Sequence, residues 1–153
     1  CCDQIEVYNR TFAKAEALAS EFQVQAIATL VDATMYDVVL CTIPASAGFT
    51  LPKGTWRQER GEESKTKTSS ASASTSTSFV GPKVVLDAAY RPRETALLRQ
   101  ARNESHGNCM CVEGIDMLIA QGYGQLRRWV NTKDLTSVVR DAIQVKVHKY
   151  YVR

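Results

Sequence analysis

Asp37-Val38-Val39-Leu40-Cys41-Thr42 is the stretch that decides the fold. Four apolar residues follow one another between polar ends, a run too short for a helix and without polar alternation. That is the pattern of a strand covered on both faces, as in a parallel sheet between helical layers. Pro44 ends it. Val84-Val85-Leu86-Asp87 has the same character, and Ile5-Glu6-Val7-Tyr8, Val24–Ile27 and Cys109–Val112 read as further strands. Helical periods lie between them. After Thr11, a residue suited to an N-cap, Ala15, Leu18, Ala19 and Phe22 recur at i, i+3, i+4 and i+7. Glu94–Arg102 predicts a helix with Leu97 and Leu98 inward. Ile115–Trp129 predicts another, with Ile115, Leu118, Ile119, Gly122, Leu126 and Trp129 on one stripe, and Leu135, Val138, Val139, Ala142 and Ile143 mark a last one. Strands alternating with helices define an α/β protein with a parallel sheet.

The 153 residues allow one domain, two at most, and 44% hydrophobic with 23% charged residues excludes a wholly disordered or collagen-like chain. No apolar run approaches the roughly 20 residues of a membrane span. Five cysteines, two adjacent and two spaced by one residue, do not make a disulfide framework, and a reducing, cytoplasmic setting is expected. Cys109-Met110-Cys111 offers two thiols to a soft metal, short of a full ligand set, and no metal is expected. Residues 1–57 carry four basic and six acidic side chains, residues 81–153 twelve and seven. The basic residues are scattered and no recognised motif accompanies them, so direct nucleic-acid binding is not expected.

Residues 58–79 interrupt the pattern. From Thr66 to Ser78 every residue except Lys67 is Ser, Thr or Ala, a tract with nothing to bury. It is expected to be a disordered, dispensable insertion, with a phosphorylated regulatory loop as the other reading. The chain thus divides into residues 1–57 and 80–131, two parts of one Rossmann-like domain, the insertion at 58–79, and a C-terminal helix and tail at 132–153.

Three places suit a ligand, since doubly wound sheets bind beyond the carboxyl ends of their strands. Asn9-Arg10-Thr11 follows the first strand and opens a helix, where free N–H groups and Arg10 suit a phosphate; a capped turn with a solvated arginine suits the same residues. In Asp87-Ala88-Ala89-Tyr90-Arg91-Pro92, Asp87 and Tyr90 lie at a strand end, and Asp87 suits loop capping better than catalysis. On the helix from Gly114, Met117, Gln121 and Gly124 share a face apart from the apolar stripe, and Gly114 permits close approach at the helix start.

These segments together resemble the nicotinamide-nucleotide half of the shikimate dehydrogenase family. The resemblance rests on Val7-Tyr8-Asn9-Arg10-Thr11, on Asp37-Val38-Val39 to Thr42-Ile43-Pro44, and on Asp87-Ala88-Ala89-Tyr90-Arg91-Pro92 with Thr95. Gly114-Ile115-Asp116-Met117-Leu118-Ile119-Ala120-Gln121 with Gln125 and Trp129 completes it. The Thr-Ile-Pro strand end resembles fungal members, including the last domain of the pentafunctional aromatic-pathway enzyme. The resemblance implies an oxidoreductase that interconverts 3-dehydroshikimate and shikimate with NADP. Asn9, Arg10 and Thr11 would hold the adenosine ribose and its 2′-phosphate, and Thr42 and Ile43 would lie along the cofactor. Gly114 and Met117 would meet the nicotinamide, with Tyr90 and Gln121 reaching the small-molecule substrate. Asp116 and Arg127-Arg128 depart from the commonest pattern. No catalytic residue is assigned, because the family's glycine-rich loop and its substrate domain with the catalytic Lys and Asp have no counterpart in these residues. They are expected in a longer parent chain. Quinate-pathway repressors, which carry a domain of this type without turnover, are the alternative. The expected fold is a Rossmann-like doubly wound parallel sheet that starts at its second strand and lacks its first. The edges beside the missing strand are expected either to lose their partners or to pair with each other.

Overall fold

A computed structural model describes residues 4–60, 77–130 and 141–142. In chain order it contains β1 (Glu6–Tyr8), α1 (Phe12–Phe22), β2 (Gln25–Ile27), β3 (Val38–Cys41), a short 3-10 turn at Ala45–Ala47, β4 (Arg57–Arg60) and β5 (Thr77–Val80). There follow β6 (Val84–Asp87), α2 (Ala96–Glu104), β7 (Met110–Val112) and α3 (Gly114–Val130). The expected last helix falls largely outside the described residues.

The parallel α/β architecture is present, and its sheet is divided. β1 pairs in parallel with β2, and β3, β6 and β7 form a second parallel sheet with β6 in the middle. Among the described residues β1 and β3 do not pair with each other. They nevertheless run in the same direction. Tyr36, just before β3, donates its hydroxyl to a Glu6 carboxylate oxygen at the start of β1. At the other end the Tyr8 ring at the end of β1 lies 6.4 Å from that of Phe49, beyond β3. Among the described residues the order β2-β1, then β3-β6-β7 with no strand between them, matches the doubly wound order without its first strand.

The main core sits under the three-stranded sheet. Leu97, Leu98 and Ala101 of α2 close on Val85, Cys41, Leu51, Trp56 and Ala33. Leu97, Leu98 and Val85 are fully buried, which for side chains of this size contributes roughly 1.5–3 kcal/mol each. The segment from Phe49 to Trp56 contributes Phe49, Leu51 and Trp56 to this core. Gln100 brackets the Leu51 backbone, accepting from its N–H at 2.8 Å and donating to its carbonyl at 3.0 Å. The Trp56 indole N–H donates to the Pro82 carbonyl at 3.1 Å.

Three expectations about packing are corrected. β3 is not covered on both faces: Val38 and Leu40 are 57% and 62% exposed, because β3 is an edge strand and no described element lies over that side. On α1 only Ala15 and Ala19 are buried, and Leu18 and Phe22 face outward. On α3 Ile115 is buried and Ile119, Gly122 and Leu126 are half-buried, but Leu118 and Trp129 are exposed. The interruption at 58–79 is also narrower than its composition suggests. Its ends form antiparallel strands, with Gln58 opposite Phe79 and Arg60 opposite Thr77, because Phe79 and the neighbouring Trp56 pack on the core. Residues 61–76 lie outside the described residues.

Candidate functional site

The candidate ligand-binding residues fall in a row along the carboxyl ends of the strands. Asn9, Arg10 and Thr11 follow β1 and are exposed. The Asn9 side-chain oxygen accepts from the Thr11 N–H at 2.9 Å and so turns the chain into α1. Thr11 has extended backbone at the N-cap, as expected, but its side chain makes no capping hydrogen bond. Arg10 beside it forms no ion pair among the described residues. A guanidinium next to an uncapped helix start is an arrangement that receives an anion.

Thr42 and Ile43 continue from β3, and with Tyr8 they line a cleft of about 150 Å³ between β1 and β3. The next strand end is held tightly. Asp87 is 2% exposed and fully used: one oxygen accepts from the Ala89 N–H at 3.0 Å and the other from the Thr95 hydroxyl at 2.7 Å. The same Thr95 oxygen accepts from the Leu98 N–H and caps α2. Asp87 is thus the structural capping residue of its loop, and Tyr90, 44% exposed, is the side chain the loop presents.

Gly114 opens α3 directly against that loop. A Cβ there would lie 2.5 Å from the carbonyl oxygens of both Ala88 and Ala89, so no other residue fits without moving the backbone. Met117 and Gln121 follow on the same helix, half-buried and exposed respectively. The structure therefore brings Tyr90 and Gly114 onto neighbouring segments, with Thr42 alongside, since the Ala88 N–H donates to the Cys41 carbonyl at 2.8 Å.

Glu113 was not singled out in the sequence. It is buried and accepts from Arg93 of the Tyr90 loop and, at 2.7 Å, from Arg102 of α2. Burial opposes its charge most strongly, but the hydrogen bonds and charges of Arg93 and Arg102 outweigh burial and hold the carboxyl below the usual glutamate range. The carboxylate ties the loop, α2 and the start of α3 together. A Glu immediately after an apolar strand and before a glycine was the available signal.

The thiols among the described residues are not activated. Burial raises Cys41, and burial together with Cys111 pushes Cys109 up to about 11. Cys41, Cys109 and Cys111 are free. Among the described residues no three His, Cys, Asp or Glu side chains converge on a metal position, and no helix is long and apolar enough to cross a membrane.

This fold and its row of loops define a Rossmann-like α/β domain. No family model matches the chain. It is 28% identical over 150 residues to the pentafunctional AROM polypeptide of Kluyveromyces lactis, covering 93% of this chain and 9% of that one. It is 36% identical over 62 residues to the NADP(+) shikimate dehydrogenase of Archaeoglobus fulgidus, covering 40% and 22%. A 60-residue stretch is 35% identical to the quinate repressor protein of Emericella nidulans, covering 39% and 7%. Among solved structures it resembles the shikimate 5-dehydrogenase of Thermus thermophilus, crystallised with NADP(H) and shikimate. The TM-score is 0.57 at 22% identity, over 92% of this chain and 45% of that one. The chain is similar to part of each of these shikimate dehydrogenase-type proteins, and it spans less than a quarter of the length of these curated relatives.

Proposed function

We propose that this domain is the cofactor-binding half of an NADP-dependent oxidoreductase that interconverts 3-dehydroshikimate and shikimate. The supporting observation is the row itself. Asn9-Arg10-Thr11, Thr42-Ile43, Tyr90 and Gly114 stand at successive carboxyl ends of parallel strands, where doubly wound sheets take their ligands. The residues suit NADP at one point above all: an exposed arginine beside a helix start without a side-chain cap, for the 2′-phosphate. Asn9, Arg10 and Thr11 hold the phosphorylated ribose, Thr42 and Ile43 flank the cofactor, and Gly114 and Met117 meet its nicotinamide. When bound, the cofactor accepts or supplies the hydride. Tyr90 and Gln121 orient the substrate through its hydroxyl groups. Oxidation of a carbinol also needs a base for the hydroxyl proton. None is assigned among these residues, and a second, substrate-bearing domain supplies it.

The test is a titration of the chain with NADP and with NAD. NADP binds more tightly, and Arg10→Ala reduces that preference by about 1.5–3 kcal/mol, the value of a hydrogen bond to a charged group. Equal affinities in the unmutated chain would remove the role given to Arg10. The match to the quinate repressor supports a second reading, in which the domain binds a pathway metabolite without turnover. Restoring a substrate domain and still finding no shikimate oxidation would favour it.

A further inference from the structure

The loop that carries Tyr90 is fastened at both ends and exposed in between. At its two ends Asp87 accepts from the Ala89 N–H at 3.0 Å and from the Thr95 hydroxyl at 2.7 Å. Residues 90–94 between these anchors are all exposed. An exposed arch of this kind buries little apolar surface, so its ordering depends on polar contacts. Arg93 makes such a contact: its Nε donates to the carboxylate of Glu113, a buried residue.

Glu113 directly precedes Gly114, and Gly114 packs against the carbonyls of Ala88 and Ala89 on the same loop. The start of α3 therefore meets the arch on both sides of Tyr90, through Gly114 before it and through Glu113 and Arg93 after it. The other Glu113 oxygen accepts from Arg102 of α2 at 2.7 Å, and Arg102 also donates to Glu94 at 2.9 Å. Arg102 thus holds the carboxylate in place from the side of the core. The Arg93 side chain is 47% exposed and the Glu113 side chain 10%. A carboxylate gripped by two guanidinium groups is a network, unlike the isolated surface pairs that contribute little.

We propose that Glu113 is a positioning residue for the substrate side of the site: through Arg93 it sets where Tyr90 stands relative to the start of α3. The carboxylate thereby keeps two ligands in register, the hydroxylated substrate at Tyr90 and the nicotinamide at Gly114 and Met117. This rests on the roles given to those three residues under the proposed function. Glu113 acts through Arg93 and not on the substrate itself. What it supplies is a fixed separation, and a misplacement of about 1 Å between reacting groups can cost on the order of 100-fold in rate.

The test follows the backbone amides of the full chain by NMR. Without ligand, Arg93→Met and Glu113→Gln should each lower the order parameters of the Tyr90 and Arg91 amides from the rigid range, about 0.85, to below about 0.6. The amides of Ala89 and Leu98, which donate to Asp87 and Thr95, should keep theirs. Arg93→Lys should restore the Tyr90 amide, because the contact needs only one charged donor. Arg99→Met, which breaks only the exposed pair with Glu94, should leave it unchanged. Arg93→Met removes a half-exposed side chain, so it keeps the test open if Glu113→Gln does not fold. Shikimate is then titrated into the chain saturated with NADP and read at the Tyr90 amide. Arg93→Met should weaken shikimate at least about tenfold and leave NADP affinity unchanged. Tyr90 and Arg91 amides that stay rigid in both variants, or that loosen together with Ala89 and Leu98, would overturn the proposal. So would a loosened arch that binds shikimate as tightly as before. An unmutated chain whose Tyr90 amide ignores shikimate would count against the proposed function, and the unliganded amides would then decide the role of Glu113.

Discussion

Under β3, β6 and β7 the helix α2 sets Leu97, Leu98 and Ala101 against Val85, Cys41 and Trp56, while under β1 and β2 the helix α1 buries only Ala15 and Ala19. Both units pair their strands in parallel and carry one helix behind them, although only α2 has a side-chain cap, from Thr95. What separates them is what lies on the other side. β6 has a strand on each flank and a helix closing on it, whereas β1 has one partner strand and an open edge. The difference shows that local pattern is enough to form a helix or a strand pair, and that burial depends on neighbours the element does not itself carry. It also places the two halves of the candidate site on unequal supports. Tyr90 and Gly114 stand on the packed sheet, Asn9-Arg10-Thr11 on the light one.

The contrast is broken most directly in the core. Leu98→Ala should cost about 2–5 kcal/mol in denaturant unfolding, as for other leucines emptied from a packed interior. Leu18→Ala on α1, where the side chain is already 43% exposed, should stay within about 0.5 kcal/mol. Similar costs at the two positions would mean that the units are packed alike.

A second change acts where the packed sheet meets the site. Gly114→Ala forces a Cβ against the Ala88 and Ala89 carbonyls and should cost about 1–3 kcal/mol by overpacking. Thermal melting measures that cost, and the loss should be absent for Gly124→Ala, where nothing stands within 4 Å of the new Cβ.

The Glu113 clamp gives a pH-dependent effect. Removing its charge with Glu113→Gln leaves Arg93 and Arg102 without their carboxylate and should cost about 1–3 kcal/mol at neutral pH. Because the folded carboxyl is held below its unfolded value, the stabilisation is present above the unfolded range near about pH 4.3 and is lost as pH falls through the folded value. Stability curves of the two proteins, compared from pH 7 downward, should therefore run parallel and then converge in acid. A gap that stays constant to pH 2 would show that Glu113 acts through its shape and not its charge.

Much of this was readable beforehand, for identifiable reasons. The apolar runs at Val38–Cys41 and Val84–Leu86 and the period through Leu97 and Leu98 carry their own structure, and the parallel α/β class follows from their alternation. The strand ends therefore locate Asn9-Arg10-Thr11, Thr42 and Tyr90 on loops, and the period after Val112 places Gly114 at a helix start. The exposure of Val38, Leu40, Leu18 and Trp129 was not legible, because an apolar residue does not reveal whether anything is present to cover it. The β4–β5 pair was hidden by composition, since Gln58, Glu59 and Ser78 look like coil until Phe79 packs on the core beside Trp56. Glu113 was hidden because its partners come from two other segments, 20 and 11 residues away.

The central claim, that one sheet is anchored and the other lightly held, is tested most directly by native-state hydrogen exchange on the 153-residue chain at low denaturant. The account predicts that the amides of Val85 and Leu86 exchange only through global unfolding. Those of Val7 and Ile27 should open at a free energy lower by at least about 1.4 kcal/mol, a tenfold faster exchange with a shallower denaturant dependence. A single opening free energy shared by Val7, Ile27, Val85 and Leu86 would contradict it.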